Sequence, residues 1–199
     1  MGAEIYHNDC EGCDISQGIK EPRAGGGIIE LDGDWILNHY GGDEGFLGWL
    51  ALQPRFHRME LTDLNTDEAN ALGKNVQRID LALRQYWAIK FSEDPIRRVY
   101  VVYFFESAFE KSSDKYHLHI HLIPRTERFR RLSIRVEKTR GIEKVEDDVR
   151  LIAWNIHQLS GHEGFPSGYR TKPENDGNRR EVEALMTYLR AYLRRSSTS

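Results

Sequence analysis

Three histidines alternate with apolar residues in one short stretch of the chain. Residues 116–125 have the sequence YHLHIHLIPR, which places His117, His119 and His121 at every second position. Strict alternation is typical of a half-buried β-strand, so we expect a strand at 116–123 with neighbouring imidazoles about 6.5–7 Å apart on one face. Charged imidazoles this close would repel one another, so this face should bind an anion such as phosphate, or a metal ion. The alternative is an exposed histidine-rich strand without chemistry.

A second group of potential ligands lies near the N-terminus, as Cys10-Glu11-Gly12-Cys13. Their two-residue spacing lets both thiolates bind one Zn²⁺, and a closed structural site then needs two further ligands. The nearest candidates are His57 and one histidine of the strand. A redox pair of the thioredoxin kind is less well supported, because there is no βαβ context and Gly12 is not the usual companion. Two free thiols are the remaining alternative.

The first elements that must position these groups are short strands. Residues 1–26 are polar and rich in glycine, and we expect an irregular arm there. Two β-rich runs, 28–31 and 35–40, flank an Asp-Gly turn signal, which predicts a hairpin. A third strand is expected at 48–53, ended by the proline that follows it.

A long helix should separate these strands from the rest of the sheet. Apolar residues recur at steps of three and four along residues 66–90, which is typical of an amphipathic helix. Thr66 is the expected N-cap. The β-branched and aromatic run at 98–105 predicts a central strand, and β runs adjacent along the chain favour antiparallel pairing. We therefore predict an α+β fold built on an antiparallel sheet.

The character of the sequence changes after Arg125. A basic stretch, a helical apolar stripe, a loop rich in glycine and proline, and a last helix follow one another. They lie at 128–140, 142–159, 161–177 and 182–192. We therefore divide the chain into residues 1–125, which hold the histidine motif, and residues 126–199, a helical C-terminal extension.

The composition is that of an ordinary globular protein. The 199 residues are 39% hydrophobic and 30% charged, with a net charge of −3, so overall charge favours no polyanionic partner. No stretch reaches the length of a membrane-spanning helix, and the first residues lack the basic and apolar regions of a signal peptide. We expect a cytoplasmic protein without a membrane partner, in which one Cys-x-x-Cys pair favours metal or redox chemistry over a structural disulfide.

The alternating histidines resemble the signature of the histidine-triad (HIT) superfamily, His-φ-His-φ-His-φ-φ, where φ is apolar. The resemblance extends to Pro54-Arg55-Phe56-His57, to the Leu-Thr-Asp-Leu segment before the long helix, and to the N-terminal Cys-x-x-Cys of zinc-containing members. It covers roughly residues 8–125. It implies that residues 1–125 form a nucleotide-binding and catalytic domain with an antiparallel sheet, often as a homodimer.

The resemblance also implies roles for the individual histidines. His119 would be the nucleophile that attacks the α-phosphorus of a nucleotide derivative and forms a covalent nucleotidyl-histidine. His121 would stabilise the phosphoryl oxygens and assist proton transfer. His117 would be the fourth ligand of a structural zinc ion, together with Cys10, Cys13 and His57.

Substrate contacts follow from the resemblance in two further places. His39 and Asp43 fall where the family places contacts to base and ribose. Ser112 and Ser113 fall just before the triad, in a loop whose polar groups would meet the phosphate or the leaving group.

The sequence departs from the family pattern at two positions. Many members carry a histidine eight residues before the position of His57, where this chain has Trp49. Many also carry Ser or Thr three residues before the triad, where this chain has Asp114. A polar contact at the site is therefore missing or replaced, and the leaving-group chemistry is in question.

Three functions remain in competition. The first is a nucleotidyl hydrolase or transferase, on the hydrolase side because His121 replaces the glutamine typical of uridylyltransferase and phosphorylase members. Its substrate would be a nucleoside phosphoramidate or a dinucleoside polyphosphate. The second is a nucleotide-binding protein with little or no turnover. The third is a protein that processes nucleic-acid ends, with the basic stretch 128–140 as its anchor.

Overall fold

A computed structural model describes residues 5–40, 47–103, 116–127 and 176–195 of the chain. Five strands, three α-helices and one 3₁₀ turn make up these residues. In chain order they are α1 (Glu11–Ser16), β1 (Ile28–Leu31), β2 (Trp35–His39), β3 (Leu50–Pro54), the 3₁₀ turn (Leu61–Asp63), α2 (Thr66–Lys90), β4 (Arg98–Tyr103), β5 (Ile120–Arg125) and α3 (Asp176–Arg195).

The described strands form one sheet in the order β1-β2-β3-β5-β4, and each neighbouring pair is antiparallel. The predicted α+β fold with an antiparallel sheet is therefore confirmed. The strand expected at 98–105 was wrongly predicted to be central, because β5, which comes later in the chain, lies between β3 and β4. Residues 104–105 lie outside the described part of the chain.

The histidine stretch is extended, but it joins the sheet later than predicted. The strand expected at 116–123 is Ile120–Arg125, because ladder pairing begins where Ile120 meets Leu52 on β3 and Tyr103 on β4. The preceding residues form other contacts, among them a hydrogen bond from the Leu118 backbone N–H to the carbonyl of Arg58 at 2.7 Å. His117 and His119 therefore precede the strand.

The N-terminal segment is also more ordered than predicted. It contains the helix α1, and the Cys10 carbonyl accepts the first helical hydrogen bond, from Asp14, at 3.0 Å. Cys10 and Cys13 are both fully buried. The irregular arm expected at 1–26 is thus interrupted by a helix that carries the cysteines to the edge of the core.

The long helix has the expected bounds, and its N-cap is one residue earlier than predicted. Asn65 accepts a hydrogen bond from the Glu68 backbone at 2.9 Å, and the Glu68 carboxylate accepts one from the Asn65 backbone at 2.8 Å. This reciprocal capping box satisfies two backbone donors at the helix start, which explains why Asn65 caps the helix instead of Thr66.

One hydrophobic core lies between the sheet, α2 and α3. α2 contributes Ile79 and Leu83, and the sheet contributes Trp35, Leu52 and Leu122. α3 adds a buried stripe at steps of three and four, as its sequence periodicity predicts. The stripe comprises Val182, Leu185, Met186, Leu189 and Leu193.

The C-terminal part of the chain is described only from residue 176 onward. The expected basic stretch and second helical stripe lie outside the described residues, as does most of the expected loop. The division at residue 126 stays a prediction, although α3 packs into the same core as Ile29, Leu83 and Leu122. Within the described ranges, no helix is both long enough and apolar enough to cross a membrane.

Candidate metal centre and histidine site

Four side chains from distant parts of the sequence converge beside the sheet. Cys10 and Cys13 come from the start of α1, His57 follows β3, and His117 precedes β5. One ligand atom from each lies within 4.8 Å of the other three. The two cysteines are free thiols, so no disulfide competes with metal binding there. These are the four residues for which the resemblance implied a zinc site.

The distances within this cluster match a zinc tetrahedron. The Sγ–Nδ1 separations are 3.5 Å from Cys10 to His117, 3.5 Å from Cys13 to His57, and 3.6 Å from Cys13 to His117. Tetrahedral zinc, with bonds of about 2.3 Å to sulfur and about 2.0–2.1 Å to nitrogen, separates its sulfur and nitrogen ligands by about 3.5–3.6 Å. The cluster therefore fits a closed site of two thiolates and two imidazoles.

The surroundings of His117 prepare its ring for a metal. The Nε2 atom lies 2.9 Å from the carbonyl oxygen of Pro54, which can only accept a hydrogen bond. The ring proton of neutral His117 is therefore on Nε2, and Nδ1 keeps its lone pair toward the cysteines. A backbone N–H from His7 also donates to the Cys13 sulfur at 3.4 Å.

Gly12 allows the close approach of helix and ring. A Cβ atom at this position would lie 2.4 Å from Cγ and 2.6 Å from Cβ of His117, well inside van der Waals contact. The residue between the two cysteines therefore needs to have no side chain. In the sequence Gly12 served only as an argument against redox chemistry, and this packing was not predicted.

The electrostatics of the cluster favour ligand forms of its residues. A hydrogen bond from Cys13, with a further contribution from His117, lowers the pKa of the Cys10 thiol. The same hydrogen bond and burial raise the pKa of Cys13. Burial lowers the pKa of His57, which keeps its ring neutral. A Cys10 thiolate beside the neutral His57 ring is the starting point from which a cation can displace the second thiol proton.

The His119 ring forms a hydrogen bond to the backbone of His117, which is a residue of the four-ligand cluster. Its Nδ1 atom lies 2.8 Å from the carbonyl oxygen of His117. Because a carbonyl accepts only, the neutral ring carries its proton on Nδ1 and its lone pair on Nε2. The His119 and His121 rings meet edge to face, with centroids 4.7 Å apart.

His121 is held from the other side by Trp49. The indole Nε1–H donates to Nδ1 of His121 at 2.9 Å, and both residues are 2% exposed. Burial, with a smaller effect of nearby His119, holds the pKa of His121 well below its usual range. The polar contact that was expected to be missing or replaced at position 49 is therefore replaced, and the donor is the indole N–H of Trp49.

The ring of Tyr40 packs beside the rings of Trp49, His119 and His121. Its ring lies 4.7 Å from that of Trp49, 4.5 Å from that of His121 and 6.2 Å from that of His119, measured between centroids. Tyr40 could not be predicted as a site residue, because an aromatic residue at the end of a strand is indistinguishable from ordinary core in a hydropathy pattern.

Of the two residues expected to contact the base and ribose, His39 lies in the described part of the chain. His39 is 2% exposed; its Nδ1 lies 3.0 Å from the Tyr40 carbonyl, and its Nε2 accepts from the Gly48 backbone at 3.1 Å. Both ring nitrogens thus hold the ends of the segment between β2 and β3, which favours a structural role. Asp43, Ser112, Ser113 and Asp114 lie outside the described residues.

A buried ion pair connects the metal centre to α2. Arg58, next to His57, donates two hydrogen bonds to the Glu68 carboxylate, both at 2.9 Å, and the two side chains are 4% and 0% exposed. The Arg58 carbonyl accepts the Leu118 N–H between two of the triad histidines. No local sequence pattern predicts this pair, because its partners lie on different elements.

Comparison with known proteins gives only distant structural likenesses. One likeness is to the crystal structure of a Zn-bound histidine triad family protein from Mycobacterium smegmatis. The two sequences are 18% identical and the TM-score is 0.48, and the match covers 95% of this chain and 96% of that one. A Hit-like protein involved in cell-cycle regulation from Bartonella henselae, with an unknown ligand, is 17% identical, with a TM-score of 0.46, over 91% and 99%. No protein-family model and no curated protein sequence matches the chain.

At these sequence identities and TM-scores the likenesses support no conclusion about function, so a proposed function must rest on the residues of the site. Those residues are the alternating histidines, the four-ligand cluster and the antiparallel strands that hold them.

Proposed function

We propose that this chain is a zinc-containing histidine-triad enzyme that attacks the α-phosphate of a nucleotide derivative. The observation that carries this proposal is the 2.8 Å hydrogen bond between His119 Nδ1 and the His117 carbonyl. It leaves the lone pair of neutral His119 on Nε2, which is the form a nucleophile requires.

In the first half-reaction, the Nε2 lone pair of His119 forms a bond to the α-phosphorus. The bond from phosphorus to the leaving group breaks, and the leaving group departs with the electron pair and takes up a proton. The product is a nucleotidyl group attached to His119. His121, whose ring is 4.7 Å away, would stabilise the phosphoryl oxygens during this step.

In the second half-reaction, water attacks the same phosphorus and the bond to His119 breaks. The water gives up one proton, which balances the proton taken up by the first leaving group, and His119 regains its lone pair. Another acceptor in place of water would make the chain a transferase. Two easier displacements thus replace a single displacement that would be more difficult.

The metal would act on structure and not on the phosphorus. Cys10, Cys13, His57 and His117 would hold Zn²⁺ with four protein ligands, and such a closed site keeps no position for water or substrate. When bound, the ion fixes the His117 ring and thus the segment to which His119 is hydrogen-bonded. Nucleotide recognition would depend on other residues, for which Asp43, Ser112 and Ser113 remain the candidates.

A nucleotide-binding protein with little turnover is the second candidate function. The observation that favours it is the dense aromatic contact around the triad, where Tyr40 and Trp49 both lie against His121. Trp49 is buried and Tyr40 is partly exposed, so the Tyr40 ring is the one that could stack on a base, and stacking does not by itself supply a proton to a leaving group.

Mass spectrometry distinguishes the two candidates. The protein is mixed with an adenosine phosphoramidate or a diadenosine polyphosphate and quenched at short times. An enzyme gives an adenylyl adduct that maps to His119 and then disappears as the monophosphate accumulates. A binding protein gives no adduct and no product, although the nucleotide still protects it against thermal unfolding.

Three wider expectations complete the proposal. We propose a cytoplasmic location, a homodimer, and a division between a catalytic part, 1–125, and a helical extension, 126–199. Sedimentation of the full chain tests the dimer. Binding of a single-stranded oligonucleotide at two salt concentrations tests the nucleic-acid alternative, because phosphate-backbone contacts weaken steeply with salt.

A further inference from the structure

The hydrogen bond between Trp49 and His121 has only one chemical direction. An indole Nε1–H donates and never accepts, so the nitrogen that faces it must be an acceptor. That nitrogen is Nδ1 of His121, at 2.9 Å. The proton of the neutral His121 ring is therefore on Nε2.

We propose that Trp49 is a positioning residue that fixes His121 as a neutral ring with its proton on Nε2. His121 would then serve the reaction as a hydrogen-bond donor to the phosphoryl oxygens and not as a carrier of protons. The catalytic part of this inference rests on the function proposed above, whereas the assignment of the tautomer does not.

The environment of His121 opposes its protonation. A second ring proton would place Nδ1–H against the Trp49 N–H, so that two donors would face one another and the hydrogen bond would be lost. Among the described residues, the titratable rings that contact His121 are His119 on its own segment and Tyr40 after β2. Its register partners on β3 and β4 are Ala51 and Val102, whose side chains carry no charge.

Two neighbouring histidines thus have opposite tautomers. His119 donates through Nδ1 to the His117 carbonyl and has its lone pair on Nε2. His121 accepts at Nδ1 from Trp49 and has its proton on Nε2. One ring is prepared to attack phosphorus and the other to stabilise the negative charge that develops on the oxygens.

Nitrogen-15 NMR of the histidine rings tests the assignment in the wild-type, metal-loaded protein. We expect the His121 signals of an Nε2-protonated neutral ring throughout the pH range in which the protein stays folded. A ring protonated on Nδ1, or an even mixture of tautomers, would overturn the inference. This measurement needs no variant and no substrate.

Trp49→Phe removes the N–H and keeps an aromatic ring. We expect the His121 ring in this variant to populate both tautomers and its pKa to rise by about one unit, a tenfold change in the protonation equilibrium. Trp35→Phe is the matched control, because Trp35 is also buried and donates through its indole, but to the Glu68 carbonyl at 2.8 Å. The control should leave the His121 signals unchanged, and an unchanged His121 in Trp49→Phe would contradict the inference.

Turnover gives a second readout that generic destabilisation would not move. In Trp49→Phe we expect kcat to fall by about tenfold, with little change in KM, and the acidic limb of its pH profile to move upward by about one pH unit. A profile identical to that of Trp35→Phe would exclude the catalytic part. If the wild type turns over no nucleotide while the Trp49→Phe tautomer shift is still observed, the proposed function fails and the positioning role of Trp49 stands.

Discussion

The ring of His119 is hydrogen-bonded to the backbone of His117, with Nδ1 2.8 Å from the carbonyl oxygen. His117 is itself held through Nε2 by the Pro54 carbonyl at 2.9 Å, and its Nδ1 points to the two cysteines. Metal cluster and proposed nucleophile are therefore connected through one residue. We therefore expect the activity of the site to depend on zinc, although the ion would not lie at the phosphorus.

Replacing His119 should abolish turnover and leave the fold intact. In His119→Ala we expect no hydrolysis of an adenosine phosphoramidate or diadenosine polyphosphate and no covalent adduct, because the attacking nitrogen is gone. The free energy of unfolding should change little, since the side chain is only partly buried. His121→Ala should still form some adduct, with turnover slower by roughly 10²–10⁴-fold. Normal activity in His119→Ala would show that another histidine is the nucleophile.

The four-ligand cluster should bind about one zinc ion per chain. Cys10→Ser and His57→Ala should each lose most of the zinc, as measured by elemental analysis of untagged protein, because three ligands no longer close the site. His7→Ala is the matched control: its ring lies 4.2 Å from that of His57, but it is not part of the four-residue cluster. Equal zinc in all three variants would show that the metal site is assigned wrongly.

A side chain at Gly12 should damage the same cluster. The Cβ of Gly12→Ala would meet the His117 ring at 2.4 Å, so helix and ring must move apart. We expect a loss of about 1–3 kcal/mol in unfolding free energy, as in other overpacked sites, together with weaker zinc retention in a chelator titration.

Gly73 provides the control for this substitution. It lies on α2 with no atom near the position of an added Cβ, so Gly73→Ala should be neutral or stabilising by up to about 1 kcal/mol. Equal stability of the two alanine variants would contradict the packing argument at Gly12.

The buried pair of Arg58 and Glu68 should be expensive to break. Glu68→Ala leaves the Arg58 charge without its partner in a buried site and removes half of the capping box, so we expect a loss of about 3–5 kcal/mol in urea unfolding. The control is Asp80→Ala, which breaks the half-exposed pair with Arg84 and should cost less than about 1 kcal/mol. Similar losses of unfolding free energy in both variants would show that the Arg58–Glu68 pair stabilises the fold no more than an exposed ion pair does.

Stability should decrease on acidification partly because of His39. Burial lowers its pKa from 6.5 to about 4, so between these values the unfolded chain binds a proton that the folded chain does not. Stability from this group is present above about pH 6.5 and is lost as the pH falls toward 4, by roughly 3 kcal/mol in total.

His39→Gln tests this dependence, because an amide oxygen can still accept the Gly48 N–H and does not titrate. Urea unfolding at several pH values should give a flatter curve for the variant below pH 6.5 than for the wild type. Loss of metal in acid affects both proteins, so the difference between the curves reports on His39. Parallel curves would exclude it as a source of the acid sensitivity.

Local patterns in the sequence were enough for much of the fold and for the cysteine–histidine cluster. The 25-residue helix α2 follows from its apolar periodicity, and the hairpin of β1 and β2 follows from an Asp-Gly turn between β-rich runs. The spacing of Cys10 and Cys13 and the alternation at 117–121 predicted two of the candidate ligands and the triad, and the resemblance added His57 and His117 to the cluster that the fold brings together. Such features repeat within a few residues, so short-range geometry fixes them.

Tertiary structure decided what those residues face. Cys10 and His117 are 107 positions apart and Trp49 and His121 are 72 apart, and no local period encodes contacts between residues so distant in sequence. Insertion of β5 beside β3 sets Ala51 opposite His121 and so brings Trp49 to its ring, while α1 brings Gly12 against His117. The sequence by itself determined which groups are the candidates for the proposed chemistry. The packing of distant strands and helices decided their tautomers, burial and partners, because hydrogen-bond direction and desolvation depend on neighbours that only the folded chain brings together.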